Sequence, residues 1–193
     1  MNKYIIYLAA GNSRRFGRNK LLVPLEGKEL YRHGMEMLAR FCRKREDCFL
    51  AVVSQYEEIL EAVRRESILA VESPESSKGM AFSIRAGLRA FEEMREEDFV
   101  LFVVADQPFL QEETVERIVE CAGPGVEVVS AAWKGRPGNP VMFSARLAPE
   151  LLGLSGDEGG RKVAKRHTCR FVEAEERELW DVDTPDAVGR KEG

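Results

Sequence analysis

Two short and almost entirely apolar runs constrain the fold most strongly. Lys3–Ala10 reads KYIIYLAA, and Phe99–Ala105 reads FVLFVVA. Runs of this length without polar alternation are typical of strands that are buried on both faces, as in a parallel sheet covered by helices. The sequence therefore predicts an α/β fold in which these two runs are central strands.

The rest of the pattern alternates strands with helices, which favours right-handed crossovers and parallel pairing. Further strands are predicted at Cys48–Val53, Ile68–Val71, Glu127–Trp133 and Cys169–Val172, and helices at Tyr31–Phe41, Tyr56–Arg65, Ala81–Met94, Glu112–Cys121 and Arg161–Arg166. The turn-rich part after Gly125 predicts an antiparallel edge strand or a hairpin. We expect a Rossmann-like three-layer sandwich with a mostly parallel sheet, formed as a single domain over residues 1–193.

Composition excludes several classes of protein. The 193 residues carry a net charge of −4, without a basic tail, which argues against nucleic-acid binding. No apolar run is long enough to cross a bilayer, so no membrane association is expected. The four cysteines form no C-x-x-C pair, and no signal peptide is evident, so we expect a cytoplasmic protein.

The predicted loops indicate where a ligand would bind. In open α/β sheets, ligands lie beyond the carboxyl ends of the strands. The first strand is followed by the loop Gly11–Lys20, and the central strand is followed by Asp106–Leu110. Both loops should lie at the same edge of the sheet, one carrying cations and the other a carboxylate. That polarity suits a triphosphate bound together with Mg²⁺.

The first loop is rich in glycine and basic residues. Gly11 and Gly17 let the backbone approach a ligand closely, amide groups there can hold phosphate oxygens, and Arg15 and Lys20 can neutralise charge. The loop matches neither the Walker A pattern nor G-x-G-x-x-G. Composition alone equally allows a solvated basic loop.

Two further segments carry carboxylates. Asp106 ends the most apolar strand, where a rigid carboxylate suits a Mg²⁺ ligand, although a residue that caps the following loop is the simpler alternative. In the segment Trp180–Asp186, Asp183 is a candidate second ligand. The alternative is a helix N-cap before Pro185.

Two glycine-rich segments complete the candidate sites. Lys134–Pro140 is able to close over an acceptor, or it is a plain hairpin connection. Ser155–Arg161 is either an anion-binding turn or a solvated loop.

Taken together, these segments resemble the MobA-like nucleotidyltransferases over about residues 1–188. Six blocks match the family in order: Leu8–Lys20, Gly79–Leu88, Ala105–Pro108, Arg136–Phe143, Gly156–Arg161 and Asp181–Asp186. The resemblance implies a Mg²⁺-dependent transferase in which Lys20, Arg15 and Asp106 are catalytic and Asp106 and Asp183 bind the metal. It also implies a nucleotide site formed by Leu8, Ala9, Ala10, Gly11, Ser13, Arg15, Gly17, Lys20, Gly79 and Ser83.

Within the family, the chain is most similar to the molybdenum cofactor cytidylyltransferases. Ala10 carries this resemblance, because cytidylyl enzymes tend to read L-A-A-G where guanylyl enzymes read L-A-G-G. A methyl group there would crowd a purine. The resemblance implies CTP as the donor and a phosphorylated pterin-type acceptor, and it allows hand-over of the product to a molybdoenzyme.

Departures from the family pattern leave the acceptor open. Asn139 stands where histidine is common, Gly160 replaces a common alanine, and Met80-Ala81 replaces a more serine-rich stretch. Two alternatives follow. One is a related transferase that uses GTP or an acceptor such as a sugar phosphate, and the other is a non-catalytic cofactor carrier with the same fold.

Overall fold

A computed structural model describes residues 1–12 and 19–182 of the chain. In these described residues, seven strands form one sheet in the order β5-β4-β1-β6-β8-β7-β9, and β2 and β3 form a separate small hairpin. The strands are β1 (Lys3–Leu8), β2 (Pro24–Leu25), β3 (Lys28–Glu29), β4 (Cys48–Ser54), β5 (Leu69–Glu72), β6 (Phe99–Val104), β7 (Val128–Trp133), β8 (Arg136–Ser144) and β9 (Cys169–Glu173).

Within the described ranges, six α-helices and four short 3₁₀ helices flank these strands. The α-helices are α1 (Leu30–Arg43), α2 (Glu57–Arg65), α3 (Met80–Arg89), α4 (Glu112–Glu120), α5 (Ala148–Leu152) and α6 (Arg161–Ala164). The 3₁₀ helices are Lys20–Leu22, Pro74–Lys78, Ala145–Leu147 and Glu176–Leu179. None of the described helices is both long enough and apolar enough to cross a bilayer.

Two apolar layers confirm the predicted three-layer arrangement. Alternate residues of β1 point to opposite faces of the sheet: Ile5 and Tyr7 pack with α1, α2 and α4, whereas Ile6 packs with α3, α5 and α6. All six residues of β6 are buried, as the continuous apolar run predicts. β1 and β6 therefore form the rigid centre of the sheet.

The sheet is mostly parallel, with one reversed strand. β5, β4, β1 and β6 run parallel, as do β7 and β9. β8 runs antiparallel to both β6 and β7. Of the two alternatives predicted for the C-terminal half, the structure shows the hairpin, and its reversed strand lies inside the sheet rather than at an edge.

Of the segment Lys134–Pro140, predicted to be a loop or hairpin connection, only Lys134 and Gly135 form the turn, and residues 136–140 are the first half of β8. The pairing shifts between Ala132↔Pro137 and Ser130↔Val141, so three residues of β8 lie opposite one residue of β7. Such a bulge accommodates prolines, which cannot donate to a regular ladder. The Ser130 hydroxyl donates to the Gly138 carbonyl at 2.9 Å and fixes the irregularity. The backbone at Gly138 and Asn139 is thereby displaced from the regular sheet.

His167 connects two carboxylates after α6. Its Nδ1 lies 3.1 Å from Glu127 and its Nε2 lies 2.8 Å from Glu150, which also pairs with Arg166. Burial disfavours the charged ring, but the hydrogen bonds to both carboxylates outweigh burial and raise the pKa of His167 above its ordinary value. When the ring is protonated, its two nitrogens donate to the two carboxylates.

The His167 contacts should make stability depend on pH. Because the folded-state pKa is raised, their stabilisation is fully present below the unfolded pKa of about 6.5 and is lost as the pH rises through the folded pKa. We expect the loss of unfolding free energy in His167→Gln to be larger at low pH and to shrink as the pH rises. Denaturant titrations of both proteins across this range measure it, and a constant difference would contradict the prediction.

Candidate active site

The two central strands bring the predicted ligand loops together. β1 and β6 pair in parallel with Leu8 opposite Val104, and the Ala105 amide donates to the Leu8 carbonyl at 3.1 Å. Gly11 and Asp106 therefore follow neighbouring strand ends. The expectation that both loops lie at the same edge of the sheet is confirmed.

Lys20 and Asp106 form an ion pair at this edge. Lys20 Nζ lies 2.8 Å from Asp106 Oδ2, and the two side chains are 9% and 27% exposed. Lys20 begins a 3₁₀ helix whose N-cap is Asn19, and the Asn19 side chain accepts from the Leu21 amide. An ion pair shielded from water interacts more strongly than one at an exposed surface. A bound triphosphate with its metal ion would offer a phosphate oxygen to Lys20 and the metal to Asp106.

Tyr7 lies in the core near Asp106 and donates to the Tyr31 carbonyl at 2.8 Å. Burial first, and the charge of Asp106 second, raise the pKa of Tyr7 far above its ordinary value. The phenol therefore stays protonated and cannot act as a general base at neutral pH.

The end of β4 holds the backbone of the first loop. The Ser54 hydroxyl donates to the Ala9 carbonyl, the Gln55 amide to the Ala10 carbonyl, and the Tyr56 hydroxyl to the Gly11 carbonyl, at 2.8, 2.6 and 2.8 Å. These contacts engage the carbonyl oxygens, which would otherwise repel a phosphate. Sequence reasoning missed Ser54, Gln55 and Tyr56. Their signal is that they follow a predicted parallel strand at the same edge as the first loop.

Gly79 and Ser83, both predicted to bind nucleotide, lie at the start of α3. Gly79 has φ +140°, and a Cβ there would lie 2.2 Å from the Gly156 carbonyl, so only glycine allows this close approach. The Ser83 hydroxyl is buried and lies 2.7 Å from the Ser76 hydroxyl. The structure therefore gives both residues packing roles, and their contacts with nucleotide remain predictions.

The C-terminal segment docks against the loop that contains Asp106. The Val182 amide donates to the Asp106 carbonyl at 2.9 Å. The Gln107 side chain donates to the Leu179 carbonyl and to Asp181 Oδ1, at 3.1 and 2.9 Å. Its own Oε1 is buried and accepts no hydrogen bond from any described residue. Through these contacts, the start of the predicted segment Trp180–Asp186 lies against the loop that contains Asp106.

Four of the predicted site residues lie outside the described part of the chain. They are Ser13, Arg15, Gly17 and Asp183. Among the described residues, no group of three or more histidine, cysteine, aspartate or glutamate side chains could hold a metal. One or two carboxylates fit Mg²⁺, which usually takes its other ligands from phosphate and water, so Asp106 fits that chemistry.

A groove of about 1100 Å³ opens between the β8 bulge and the C-terminal segment. Its aromatic side chains are Phe109, Trp133 and Trp180, and its charged side chains are Arg136, Arg161, Arg177, Glu175, Glu176 and Asp181. The Phe109 and Trp180 rings stack with their centroids 6.2 Å apart. Aromatic faces beside donors and acceptors suit a flat polar ring that carries a phosphate.

Comparison with known proteins identifies the family. The model of the MobA-like NTP transferase domain matches residues 5–171, which is most of the chain. The chain belongs to the MobA-like nucleotidyltransferase family.

Relatives of this nucleotidyltransferase match it along nearly its full length. The purine catabolism protein PucB of Bacillus subtilis (strain 168) is 32% identical over 195 residues, which cover 94% of this chain and 91% of PucB. The crystal structure of Rv0371c from Mycobacterium tuberculosis H37Rv is 25% identical with a TM-score of 0.75, and the match covers 96% of this chain and 95% of Rv0371c.

A second structure of Rv0371c, solved as a complex with manganese, shows the same fold. It is 24% identical to this chain with a TM-score of 0.75, and the match covers 97% of this chain and 96% of that protein.

Gly11 allows a matched test of the nucleotide loop of this nucleotidyltransferase. A Cβ at Gly11 would meet no described atom within 4 Å, and the same holds for Gly123 at the far end of α4. We expect Gly11→Ala to fold normally but to bind nucleoside triphosphate about tenfold more weakly (~1.4 kcal/mol), because the methyl group enters the space the phosphates need. Calorimetric titration measures this affinity.

Gly123→Ala is the control for the loss of backbone freedom, and it should keep wild-type affinity. Equal affinities of the two variants would contradict a close approach of nucleotide to Gly11.

Proposed function

We propose that the protein transfers CMP from CTP to a phosphorylated pterin-type acceptor of the molybdenum cofactor, with release of pyrophosphate. One observation carries the proposal: Lys20 and Asp106 meet at the ends of neighbouring parallel strands. This arrangement supplies a cation for phosphate and a carboxylate for a metal at one point. An intact site of this kind favours an enzyme over a non-catalytic carrier.

The proposed reaction exchanges one phosphoanhydride bond for another. An oxygen of the acceptor phosphate attacks the α-phosphorus of CTP, the bond from that phosphorus to the bridging oxygen breaks, and pyrophosphate leaves with the bonding electrons. A phosphate monoester has a second pKa near ~6 and is mostly ionised at neutral pH. The reaction therefore needs no strong general base, and alignment and charge neutralisation suffice.

Each charged side chain has a defined role in this reaction. Asp106, with Asp183 as the predicted second ligand, would hold a Mg²⁺ ion that neutralises phosphate charge when bound. The manganese complex of Rv0371c supports a divalent metal in this family. Lys20, together with Arg15 as predicted from the sequence, neutralises charge on the triphosphate and the leaving pyrophosphate.

The acceptor is proposed to occupy the groove between the β8 bulge and the C-terminal segment. Arginines there complement a phosphate, and beside them lie the rings of Trp133, over which Lys134 Nζ lies at 4.5 Å, and Trp180, which stacks on Phe109. Asn139, which departs from the family pattern, also lines this groove. A different nucleotide, or an acceptor such as a sugar phosphate, is the alternative within the same chemistry.

A pyrophosphate-release assay tests the proposed function. The protein is incubated with Mg²⁺, a molybdopterin-type acceptor, and CTP, GTP, ATP or UTP in separate reactions. We expect release that depends on metal and acceptor and is fastest with CTP. Tight binding of nucleotide and acceptor without pyrophosphate release would instead show a carrier.

The ion pair between Lys3 and Asp47 provides controls for the Lys20–Asp106 pair. It lies at the amino end of β1, whereas the candidate site lies at the carboxyl end, and the paired atoms are 2.5 Å apart. We expect Asp106→Ala to abolish turnover with the fold intact, because the metal ligand is lost. Lys20→Ala and Arg15→Ala should each weaken nucleotide binding or slow single-turnover transfer by about tenfold or more (~1.4 kcal/mol).

Lys3→Ala and Asp47→Ala should keep wild-type rates, with circular dichroism as the check on folding for every variant. Near wild-type metal-dependent turnover in Asp106→Ala would remove that residue from the mechanism.

Ala10 provides a test of nucleotide choice. Its side chain is 3% exposed and its carbonyl is held by Gln55, so only the small exposed part of the methyl group is available to contact a base. We expect CTP to be preferred over GTP, and Ala10→Gly to reduce the preference by removing a methyl worth roughly 1–3 kcal/mol of discrimination. The measurement is kcat/KM for both nucleotides.

Ala9→Gly separates the effect of the methyl group from loop flexibility, because it loosens the same backbone and leaves Ala10 in place. Preference for GTP in the wild type would contradict the cytidylyl assignment. A ratio that Ala9→Gly shifts as much as Ala10→Gly would contradict only the steric reason.

A further inference from the structure

We propose that Gln107 is a positioning residue, which holds the C-terminal segment against Asp106 and thereby sets the affinity of the metal site. The C-terminal segment is here the chain over residues 175–182. The inference rests on the metal role that the proposed function gives to Asp106. Gln107 follows Asp106 directly in the chain and is 4% exposed. One loop therefore carries both the metal ligand and the side chain that holds the segment.

Three hydrogen bonds join two consecutive residues of this loop to the C-terminal segment. Gln107 Nε2 donates to the Leu179 carbonyl at 3.1 Å and to Asp181 Oδ1 at 2.9 Å. The Val182 amide donates to the Asp106 carbonyl at 2.9 Å, and the Val182 side chain is fully buried. A single side-chain nitrogen therefore holds two points of the segment, and the backbone beside it holds a third.

The amide group of Gln107 has one favourable orientation in this arrangement. Both hydrogens of Nε2 are donated to oxygen atoms, so turning the amide would place Oε1 against two acceptors. In the observed orientation, Oε1 is buried and no described residue donates to it. A buried acceptor without a partner lowers stability, so this amide is not the group that folding alone favours. What the amide adds is the pair of bonds to the C-terminal segment.

The first half of the C-terminal segment has a separate anchor. The Glu178 carboxylate is buried and accepts from the Gln111 and Glu175 amides, each at 3.0 Å. This contact fixes the last 3₁₀ helix to the start of α4. Gln107 instead holds the residues that follow this helix and approach Asp106. Its contacts therefore bear on the part of the segment that lies nearest to the proposed metal ligand.

The position of this last part bears on the metal site through the sequence. Asp183, the predicted second ligand, lies outside the described residues and directly follows Val182 in the chain. Hydrogen bonds around a metal site orient its ligands, and loss of one such contact typically weakens metal affinity by about 10–100-fold. Gln107 makes contacts of this kind, because it adjoins Asp106 and holds the chain that leads to Asp183.

Titration of the full-length protein with Mn²⁺ alone tests the proposal, because the electron paramagnetic resonance signal of the hydrated ion falls when the ion binds. Gln107→Met keeps the length of the side chain and removes both donated bonds. We expect this variant to bind Mn²⁺ about tenfold more weakly. Gln107→Asn keeps the amide but withdraws it by one methylene group, and it should show a similar loss.

Gln111→Met is the matched control. The Gln111 side chain is exposed and donates to the Phe109 carbonyl at 2.8 Å, within its own loop. This variant makes the same chemical change close to Asp106 without releasing the C-terminal segment, so it should keep wild-type affinity for Mn²⁺. Equal affinities of wild type, Gln107→Met and Gln107→Asn would overturn the proposal.

Hydrogen exchange at the Val182 amide gives a second readout that needs no metal. The amide is bonded to the Asp106 carbonyl, so we expect faster exchange in Gln107→Met and wild-type exchange in Gln111→Met. Thermal unfolding shows whether each variant is folded. A lower unfolding temperature of Gln107→Met, with Mn²⁺ affinity and Val182 exchange unchanged, would show a merely structural role and overturn the proposal.

Asp106→Ala separates this inference from the proposed function. Loss of Mn²⁺ binding in Asp106→Ala, together with wild-type affinity in Gln107→Met, would overturn the inference and leave the metal site standing. Mn²⁺ affinity that depends on Gln107, without pyrophosphate release from any of the four nucleotides, would contradict the proposed function and leave the inference standing.

Discussion

The pairing of β1 with β6 is the constraint on which the candidate site depends. Both strands are apolar on both faces, so they stabilise the centre of the sheet only when helices cover each side. Their parallel register places the loops after Leu8 and Val104 side by side. The ion pair between Lys20 and Asp106 follows from that register, because each residue lies on one of the two loops.

Charge placement, rather than proton transfer, defines the chemistry of the site. Tyr7 is held neutral by burial and by Asp106, and an ionised phosphate acceptor needs no strong base. The carbonyl oxygens of the first loop are engaged by Ser54, Gln55 and Tyr56. A triphosphate at this edge would therefore meet amide groups and the Lys20 ammonium instead of carbonyl dipoles.

The features of the fold that were predicted correctly are those that depend on residues close together in the sequence. The continuous apolar runs identified the central strands, and the rule for parallel sheets placed Gly11 and Asp106 at one edge. The position of β8 inside the sheet and the bulge at Gly138 were not predicted, because they depend on pairing between distant segments. Ser54, Gln55 and Tyr56 were missed because their role lies in contacts with another strand, which their residue types do not reveal.

A crystal structure with CTP and Mg²⁺ tests the central claim most directly, and the distance from Lys20 Nζ to Asp106 Oδ2 is the quantity to measure. That distance is 2.8 Å in the present structure. We predict that it lengthens beyond hydrogen-bonding range, with Lys20 on a phosphate oxygen and Asp106 on the metal. An ion pair that stays at its present distance, with the nucleotide bound elsewhere, would contradict the account.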